Sequence, residues 1–413
     1  MRIVRDDIGV TRPEVRSGLG EEVSAIIEAV RLGGEHAVRE FTERFDHAEL
    51  APDELRVDPR ELEAAIGVLE PDVLDGLRTA IRNVRAVARA QLQDPISVEL
   101  EQGQVIEVVE VPVRRAAIYV PGGRAPYPST VVMGAVTARA AGVEQIVVCA
   151  PPGPGGRAHP VILAACVLCE VNEVYRMGGA QAIAMLAFGS GAIERVDVIA
   201  GPGNAYVQEA KRQLAFTEIG IDGFAGPSEL AVIADGPGAE PEPIALDLLA
   251  QAEHGPDSLL WLSSPDENLR EAVIEHVKRL AGARPSVADA SLEVMAHGAR
   301  GAIEIFDQIA PEHLELVGEN AEALADRVRS AGCVFVGAGA ATAFGDYVAG
   351  SNHVLPTGGA ARFQSALSPA TFRRRMARVS LPAGAATRLA PAGAALARAE
   401  GFPVHAESME RRA

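Results

Sequence analysis

Aromatic residues and cysteines are scarce in this chain of 413 residues. Phe, Trp and Tyr make up 4% of the sequence, so Ala, Val, Leu and Ile must supply most of the hydrophobic core. Four cysteines in a chain of this length do not form a disulfide framework. Cys166 and Cys169 form a CxxC pair within an apolar helical run. Because no second pair completes a zinc ribbon, we interpret both as core residues.

The sequence also lacks long apolar runs and clusters of basic residues. No window reaches about 18 uninterrupted apolar residues, which predicts no transmembrane helix and no membrane partner. Residues 1–7 contain no apolar signal core, and with the few cysteines this predicts a cytoplasmic location. The formal net charge is −18, so we expect no nucleic-acid partner. We interpret the short run Arg373-Arg374-Arg375 as a solvated helix face.

The order of elements predicts an α/β fold in a chain long enough for two or more domains. Short β-branched runs alternate with longer helical stretches, which is the pattern of βαβ units with mostly parallel sheets. The predicted strands are 105–109, 116–120, 145–149, 196–200, 230–234, 259–262 and 333–336. The predicted helices are 21–32, 71–93, 129–141, 161–170, 180–188 and 268–280. The last ~45 residues show no strand pattern and are too few for a core of their own, so they must pack on the body or on a neighbouring subunit.

The usual dinucleotide fingerprint GxGxxG does not follow any predicted strand. Three other glycine-rich turns do occur within about 90 residues, at 119–123, 178–182 and 200–206. Each can bring backbone N–H groups and a helix N-terminus to a phosphate. Tight connections in an α/β sheet produce similar turns, so the nucleotide interpretation is one of two.

Gln251 and His254 lie where a predicted helix is stopped by a Gly-Pro pair. Residues three apart share a helix face, so both side chains can reach one ligand. The alternative is a His that caps the helix or lies on the surface.

Glu312 and His313 follow Pro311, a residue that suits the first turn of a helix. We therefore expect this pair at a helix N-terminus. A carboxylate and an imidazole can share proton transfers at neutral pH. The alternative is a helix-start Glu favoured by the helix dipole beside a packed His.

Two further segments place possible ligands in irregular surroundings. Asp346 and His353 lie in the glycine-dense segment 344–359, and Glu400 and His405 lie near the C-terminus. An ordinary surface connection and a solvated tail are the alternatives. Together Gln251, His254, Asp346 and His405 offer two nitrogen and two oxygen donors, a set that permits Zn²⁺. Their spacing does not show whether they converge.

Seven segments taken in order resemble the histidinol dehydrogenase family, from roughly residue 15 to the end. The segments are YVPGG (119–123), GGAQA (178–182), GPGNA (201–205), AGPSE (225–229), QAEHG (251–255), PEHLE (311–315) and NHVLPT (352–357). The region 369–396 departs from the family pattern, because it is richer in Ala and Arg.

The resemblance implies cofactors and site residues. It implies Zn²⁺ held by Gln251, His254, Asp346 and His405, with His405 supplied by the partner subunit. It implies NAD contacts from Tyr119, Gln181 and Asn204, and an acid/base pair of Glu312 and His313. The residues implied to bind substrate are Ser228, His353 and Glu400, together with His313 and the four zinc ligands.

The resemblance also implies a domain organisation. We expect two incomplete Rossmann-like parallel-sheet domains, a helical N-terminal segment and an extended C-terminal tail that makes a domain-swapped homodimer. Residues 1–118 and 230–366 would form the first domain, with the N-terminal helices and the zinc and catalytic residues. Residues 119–229 would bind NAD, and 367–413 would pack on the partner subunit.

The implied reaction is oxidation of L-histidinol through L-histidinal to L-histidine with two NAD⁺, the last step of histidine biosynthesis. His313 would take protons, Glu312 would activate the water that adds to the aldehyde, and zinc would hold the substrate. Two alternatives remain: a related zinc and NAD dehydrogenase of another small polyol such as sulfopropanediol, and a non-catalytic metal- or nucleotide-binding protein.

Overall fold

The structure is a computed structural model that describes residues 1–5, 18–122, 125–382 and 384–413. Gly123 of the first glycine-rich turn, and the first residues of the resemblance at 15–17, lie outside these ranges. The strands are β1 Arg2–Arg5, β2 Ile96–Glu99, β3 Val105–Pro112, β4 Arg115–Tyr119, β5 Gln145–Ala150, β6 Glu173–Arg176, β7 Val198–Ala200, β8 Gly220–Ile221, β9 Glu229–Ala234, β10 Leu259–Ser263, β11 Ser291–Met295, β12 His313–Val317, β13 Cys333–Val336 and β14 Arg373–Ser380.

The α-helices surround these strands. They are α1 Leu19–Asp46, α2 Pro59–Ala65, α3 Pro71–Ala90, α4 Pro128–Val131, α5 Thr137–Ala141, α6 Pro160–Leu168, α7 Gly179–Phe188, α8 Ala205–Leu214, α9 Pro241–Ala252, α10 Glu267–Ala281, α11 Ala299–Ile309, α12 Glu319–Glu322, α13 Thr342–Tyr347, α14 Ala385–Ala399 and α15 Pro403–Glu410. A π-helical turn, Val132–Val136, joins α4 to α5. Within the described ranges, no helix is both long and apolar enough to cross a membrane.

Two parallel sheets form the centre of the fold. The larger sheet has the order β1-β11-β10-β9-β12-β13, and the smaller has the order β6-β5-β4-β7-β8. Their central strands β4, β9 and β12 are buried along their whole length, because helices cover both faces of each sheet. The α/β class with parallel sheets is therefore confirmed. In the smaller sheet the strand order reverses between β4 and β7, which leaves a crevice beyond the carboxyl ends of these strands.

The N-terminal helices pack on the smaller sheet rather than on the larger one. Helix α1 contacts α7 and α8, and α3 contacts the π-helical turn and α5. Among the described residues of this region, only β1 joins the larger sheet. This packing differs from the expected grouping of 1–118 with the zinc and catalytic residues. The expected boundary after residue 118 also falls inside β4, because that strand is the centre of the smaller sheet.

Helix α1 continues beyond its predicted end at residue 32. It bends at Gly34, whose φ of 55° lies in the region that favours glycine, and then continues to Asp46. Packing of Ala37, Val38 and Thr42 in the second segment stabilises the continuation. The bend matters for function, because the second segment carries Asp46 to the crevice beside β4.

A small antiparallel sheet, β14-β3-β2, contains a strand that the sequence did not predict. Arg373–Ser380 pairs along its whole length with Val105–Pro112. The expectation of a solvated helix face at 373–375 is therefore wrong. Arg373 donates hydrogen bonds to Ala141 O at 2.8 Å and to Glu110 O at 2.6 Å. These partners lie more than 230 residues away in sequence, so the local pattern of an Arg-rich run does not reveal the pairing.

The end of the chain forms a hairpin of α14 and α15. Its own small cluster of buried residues contains Ala394, Ala397 and Ala406. Leu396, Phe402 and Val404 remain exposed, with 66%, 53% and 73% of their surface accessible. The hairpin thus keeps an apolar face that nothing in the described part of this chain covers. The prediction that Cys166 and Cys169 are core residues is confirmed, since both thiols are buried.

Candidate active site and cofactor cleft

Glu312 and His313 lie at the start of strand β12 and not at the start of a helix. Helix α11 ends just before them at Ala310, which adopts a left-handed conformation with φ 53°. His313 then pairs in register with Leu230 of β9 and Cys333 of β13. The expected helix N-terminus at Pro311 is therefore wrong. Residues 313–317 are buried between two neighbouring strands, and this tertiary pairing outweighs the preference of proline for a first helical turn.

Glu229, the first residue of β9, holds both residues of the pair. Its backbone N–H donates to Glu312 Oε2 at 2.9 Å, and its carboxylate accepts from the Glu312 N–H at 3.1 Å. Its backbone carbonyl lies 2.9 Å from His313 Nδ1. Its second carboxylate oxygen accepts from the Gly358 N–H at 3.1 Å. Glu229 therefore ties the starts of β9 and β12 to the loop that follows His353.

The contact with Glu229 determines which nitrogen of His313 carries the proton. A carbonyl oxygen can only accept a hydrogen bond, so Nδ1 of His313 must be the donor. The other ring nitrogen, Nε2, is then unprotonated and lies 4.0 Å from Asp346 Oδ1. Burial, with smaller contributions from the nearby His254 and His353, lowers the pKa of His313 to about 4, although the hydrogen bond to Glu229 opposes this shift. His313 is therefore a neutral ring with a free lone pair at Nε2.

Burial has the opposite effect on Glu312. It raises the pKa of the Glu312 carboxyl well above 4.5, and the charges of Glu229 and Asp346 act in the same direction. The hydrogen bond from the Glu229 N–H opposes this shift. Although Glu312 Oε2 lies 3.5 Å from His313 Nδ1, the lowered pKa of His313 keeps its ring neutral, so this contact is not an ion pair.

Asp346, His353 and His254 lie beside this pair. Asp346 is on α13, and its backbone carbonyl lies 2.8 Å from His353 Nδ1, which leaves Nε2 of His353 unprotonated. Burial raises the pKa of Asp346 to about 7. His254 follows α9 and lowers the pKa of both His313 and His353, which places it near both rings. The loop that carries His353 is fixed by Asn352, whose amide donates to Met133 O at 3.1 Å.

The donor set fits a cation. Gln251 is on α9 and is 2% exposed, and its Oε1 is the atom that could ligate a cation. Its Nε2, which has no hydrogen-bond partner in the described structure, is a donor and would not ligate the ion. The half-buried carboxylate of Asp346 has no Lys or Arg partner among the ion pairs of the described residues, and its raised pKa reflects that uncompensated burial. No group of three His, Cys, Asp or Glu side chains forms a metal centre within the described ranges. The expected set requires no such group within one chain, because each site would take His254 and Asp346 from one subunit and His405 from the partner.

The remaining expected substrate residues are divided between two places. Ser228 immediately precedes Glu229, and its backbone carbonyl accepts from the Leu259 N–H at 2.9 Å. It therefore lies next to the Glu312–His313 pair. Glu400 and His405 lie on the exposed C-terminal hairpin, where the His405 ring lies 5.4 Å from the ring of Phe402. None of the described contacts joins these two residues to Glu312, His313 or Asp346 within one chain.

A second site lies at the carboxyl ends of β4 to β7 in the smaller sheet. There a cleft of 940 Å³ is lined by all three residues expected to contact NAD, Tyr119, Gln181 and Asn204. The Tyr119 hydroxyl accepts from the Gly179 N–H at 3.0 Å, and Asn204 Oδ1 caps the first turn of α8. This position beside the β4–β7 reversal is where open α/β sheets bind ligands.

A buried ion pair holds one edge of this cleft. Lys211, 1% exposed, donates to Asp222 Oδ1 at 2.5 Å and to Gly201 O at 2.8 Å. Asp222 Oδ2 accepts from the Gly201 N–H at 2.7 Å, so the pair binds both polar groups of the Gly201 backbone. Gly201 has φ 122°, and a Cβ there would overlap the Tyr119 carbonyl oxygen. The pair thus fixes the turn that leads to Asn204 against the strand that carries Tyr119.

Sequence reasoning did not assign roles to Glu229, Lys211 or Asp222. Glu229 lies in one of the blocks of the resemblance, and Lys211 follows the glycine-rich turn at 200–206. What the sequence does not contain is the partner of each residue. These partners are Glu312, 83 residues from Glu229, and the backbone of Gly201.

Comparison with known proteins identifies the family. A profile of the histidinol dehydrogenase family matches residues 11–413. The chain belongs to this family. A histidinol dehydrogenase from Parasynechococcus marenigrum is 44% identical over 397 residues, which are 94% of this chain and 90% of that protein. One from Synechococcus sp. is 44% identical over 94% of this chain and 91% of that protein. The crystal structure of histidinol dehydrogenase from Elizabethkingia anophelis has a TM-score of 0.93, 32% identity, and covers 100% of this chain and 98% of its own.

Proposed function

We propose that this chain oxidises L-histidinol through L-histidinal to L-histidine, and that Glu312 and His313 transfer the protons. Membership of the histidinol dehydrogenase family supports the reaction, which makes the chain an oxidoreductase acting on a CH–OH group. The observation that supports the residue roles is the buried Glu312–His313 pair held by Glu229. A polyol dehydrogenase for a substrate such as sulfopropanediol is not favoured, because the matching relatives are histidinol dehydrogenases.

His313 acts as the base in both oxidations. Its Nδ1 proton is held by the Glu229 carbonyl, so the ring keeps its orientation while Nε2 takes the hydroxyl proton of the alcohol. When bound in the cleft at Tyr119, Gln181 and Asn204, NAD supplies the hydride acceptor for each oxidation. After protonation the imidazolium lies 4.0 Å from Asp346, whose negative charge stabilises it.

Glu312 acts between the two oxidations. Its raised pKa gives the carboxylate a higher affinity for a proton than an exposed glutamate has, which suits a group that takes a proton from water near neutral pH. Glu312 takes one proton from water as the water oxygen adds to the aldehyde carbon. The His313 imidazolium left by the first oxidation gives its proton to the carbonyl oxygen, which completes the gem-diol and leaves a neutral His313 that accepts the proton of the second oxidation. Burial of the pair protects the reactive aldehyde while it waits for the second oxidation.

Gln251, His254, Asp346 and His405 of the partner subunit would hold Zn²⁺. When bound, the ion would orient the imidazole and amino group of the substrate and need not activate water. Ser228, His353 and Glu400 would complete the substrate contacts, because Ser228 adjoins Glu229 and the backbone at Asp346 orients the His353 ring.

The proposed active unit is a domain-swapped homodimer in the cytoplasm. The hairpin of α14 and α15 leaves Leu396, Phe402 and Val404 exposed, and Ile96 and Val379 are exposed on the small antiparallel sheet. A second copy of the chain would cover these apolar surfaces and bring His405 and Glu400 to the partner's Asp346 and His254. The two parallel sheets would then act as incomplete Rossmann-like domains, one for the substrate and one for NAD.

The test measures NADH formation from L-histidinol by the full chain before chelation, after chelation and after return of Zn²⁺. We expect two NADH per histidinol, loss of activity on chelation and recovery with Zn²⁺. NADH formation that chelation leaves unchanged would contradict the zinc proposal alone. No NADH from histidinol under any of these conditions would contradict the proposed function.

A further inference from the structure

The cleft at the ends of β4 to β7 contains a carboxyl group that no proposed role uses. Asp46, the last residue of α1, lines the cleft together with Tyr119, Gln181 and Asn204. Its Oδ2 atom is buried and has no hydrogen-bond partner in the described structure. Burial also raises the pKa of Asp46 to about 6. A buried acceptor without a donor is costly, so the cleft is complete only when a ligand supplies one.

Asp46 supplies a carboxylate to a cleft in which the three residues after β5 have none. In ordinary dinucleotide-binding folds, an acidic residue near the end of the second strand binds the hydroxyl groups of the ribose. Here the strand beside β4 is β5, and Pro151, Pro152 and Gly153 follow it along the same cleft. None of these three residues has a carboxyl group. Asp46 is the acidic residue among those that line the cleft, and it comes from a helix outside the sheet.

The surroundings of Asp46 favour neutral hydroxyl donors over a phosphate. The carbonyl groups at the C-terminal end of α1 carry partial negative charge, which adds to the charge of the carboxylate. His47, the next residue, also lines the cleft and is the group of opposite charge beside Asp46 when its ring is protonated. Phe45, 46% exposed, lines the same wall, and its ring also contacts the Phe41 ring and the Arg44 guanidinium. Its exposed part offers apolar surface to an aromatic base. An adenosine matches these two neighbouring residues, because its base can contact Phe45 while the two free hydroxyl groups of its ribose face Asp46.

We propose that Asp46 accepts hydrogen bonds from the 2′- and 3′-hydroxyl groups of the adenosine ribose, and that it makes this chain specific for NAD over NADP. This inference rests on the proposed function, because it assumes that the cleft binds the nicotinamide cofactor. A 2′-phosphate in the same position would bring two or more negative charges to a carboxylate and a helix C-terminus.

The experiment compares the unmodified full chain with Asp46→Asn and Asp94→Asn. Asp94 is an exposed residue outside the cleft, so its substitution makes the same change of charge without touching the site. The assay measures kcat and KM for NAD and for NADP with L-histidinol, at pH 8, where an ordinary imidazole is mostly neutral. Calorimetric titration with NAD and NADP measures binding without turnover.

We expect Asp46→Asn to reduce the ratio of kcat/KM for NAD to that for NADP by about tenfold or more, because one or two hydrogen bonds to the ribose are weakened and the repulsion of the phosphate is removed. The change should lie mainly in KM and in the calorimetric Kd. Asp94→Asn should keep the ratio of the unmodified chain. A variant Asp46→Ser, which retains one hydrogen-bonding oxygen, should lie between the two.

Two results would overturn the inference. One is an NAD to NADP ratio in Asp46→Asn equal to that in Asp94→Asn. The other is an equal loss of kcat/KM for NAD and for NADP. Asp46 would then contact a portion of the cofactor that is the same in both molecules. If the unmodified chain forms no NADH from histidinol, the proposed function fails, and calorimetry with the two cofactors still tests Asp46 by itself.

Discussion

At the scale of single residues, burial gives Glu312 and His313 complementary protonation states. Desolvation raises the pKa of the carboxyl and lowers that of the imidazole, because in each case it disfavours the charged form. An ion pair in this place would need its attraction to exceed the cost of burying two charges. The pair avoids that cost, since the ring of His313 is neutral. As the proposed base, Glu312 acts in its ionised form, whose affinity for a proton is increased by burial.

The division of labour between these two residues can be tested with separate half-reactions. We expect His313→Asn to reduce both the oxidation of histidinol and that of histidinal by about 10²-fold or more, because a general base of both steps is removed. Glu312→Gln should mainly slow the oxidation of histidinal, since only that step requires an activated water. Pre-steady-state measurements of NADH with each substrate separate the two steps. Equal losses in both steps for Glu312→Gln would contradict the assignment.

The raised pKa of Asp46 predicts a pH dependence of the free energy of unfolding. Its pKa is raised from 3.8 to about 6 on folding, so the folded chain binds this proton more tightly, and stability is lost as pH rises through that window. Asp46→Asn removes the loss. Its gain in free energy of unfolding without cofactor should be about 1 kcal/mol larger at pH 8 than at pH 5. Urea denaturation at both pH values measures this, and a gain independent of pH, as expected for Asp94→Asn, would argue against it.

At the scale of elements, two local connections position the site residues. Glu229 joins the starts of β9 and β12, and the Lys211–Asp222 pair joins α8 to the turn after β7. In each case backbone groups of one element are held by a side chain of another. The catalytic pair and the cofactor cleft therefore depend on residues that need not touch either ligand.

The Lys211–Asp222 pair should affect cofactor binding more than the chemical step. Lys211→Met leaves the Asp222 carboxylate buried without its cation, and we expect the free energy of unfolding to fall by about 3 kcal/mol or more. Release of the Gly201 turn should raise KM for NAD by more than it lowers kcat. The double variant Lys211→Met with Asp222→Asn, which leaves no buried charge, should recover stability without recovering KM. Recovery of both together would mean that the pair is only structural.

At the scale of the whole molecule, the C-terminal hairpin is incomplete in a single chain. Its buried cluster consists of three alanines packed with Met409, whereas larger apolar side chains point to solvent. Glu400 and His405 share this exposed hairpin, far along the chain from the other expected zinc ligands. A shared active site in a homodimer accounts for both observations.

Sharing can be measured by mixing inactive variants. His254→Ala and His405→Ala should each be inactive as homodimers. A random mixture contains about half heterodimers, each with one intact site, so about 25% of the unmodified activity should return. His254→Ala mixed with Asp346→Ala is the matched control, because both changes lie on the same side of the shared site and no intact site can form. If the first mixture recovers no more activity than the control, the sites are not shared.

The amino-acid sequence alone was sufficient to predict the α/β class, the family and seven of the 14 strands in the described residues. Buried parallel strands are short apolar runs, and their order along the chain is local information. The family followed from seven ordered segments, each of which is also local. The same local reasoning failed at Pro311 and at Arg373-Arg374-Arg375, where a neighbouring strand decides the conformation.

Only the tertiary structure decided which residues meet. Glu229 reaches Glu312 across 83 residues, and Asp46 reaches the cleft of Tyr119 because α1 bends at Gly34 and packs on the smaller sheet. The periodicity of apolar residues indicates which face of an element is buried, but it does not indicate which other element covers that face. Strand order and helix packing bring distant residues together. Those contacts determine which nitrogen of His313 is protonated and leave one oxygen of Asp46 without a partner. They also include the hydrogen bonds from Lys211 and Asp222 to the backbone of Gly201.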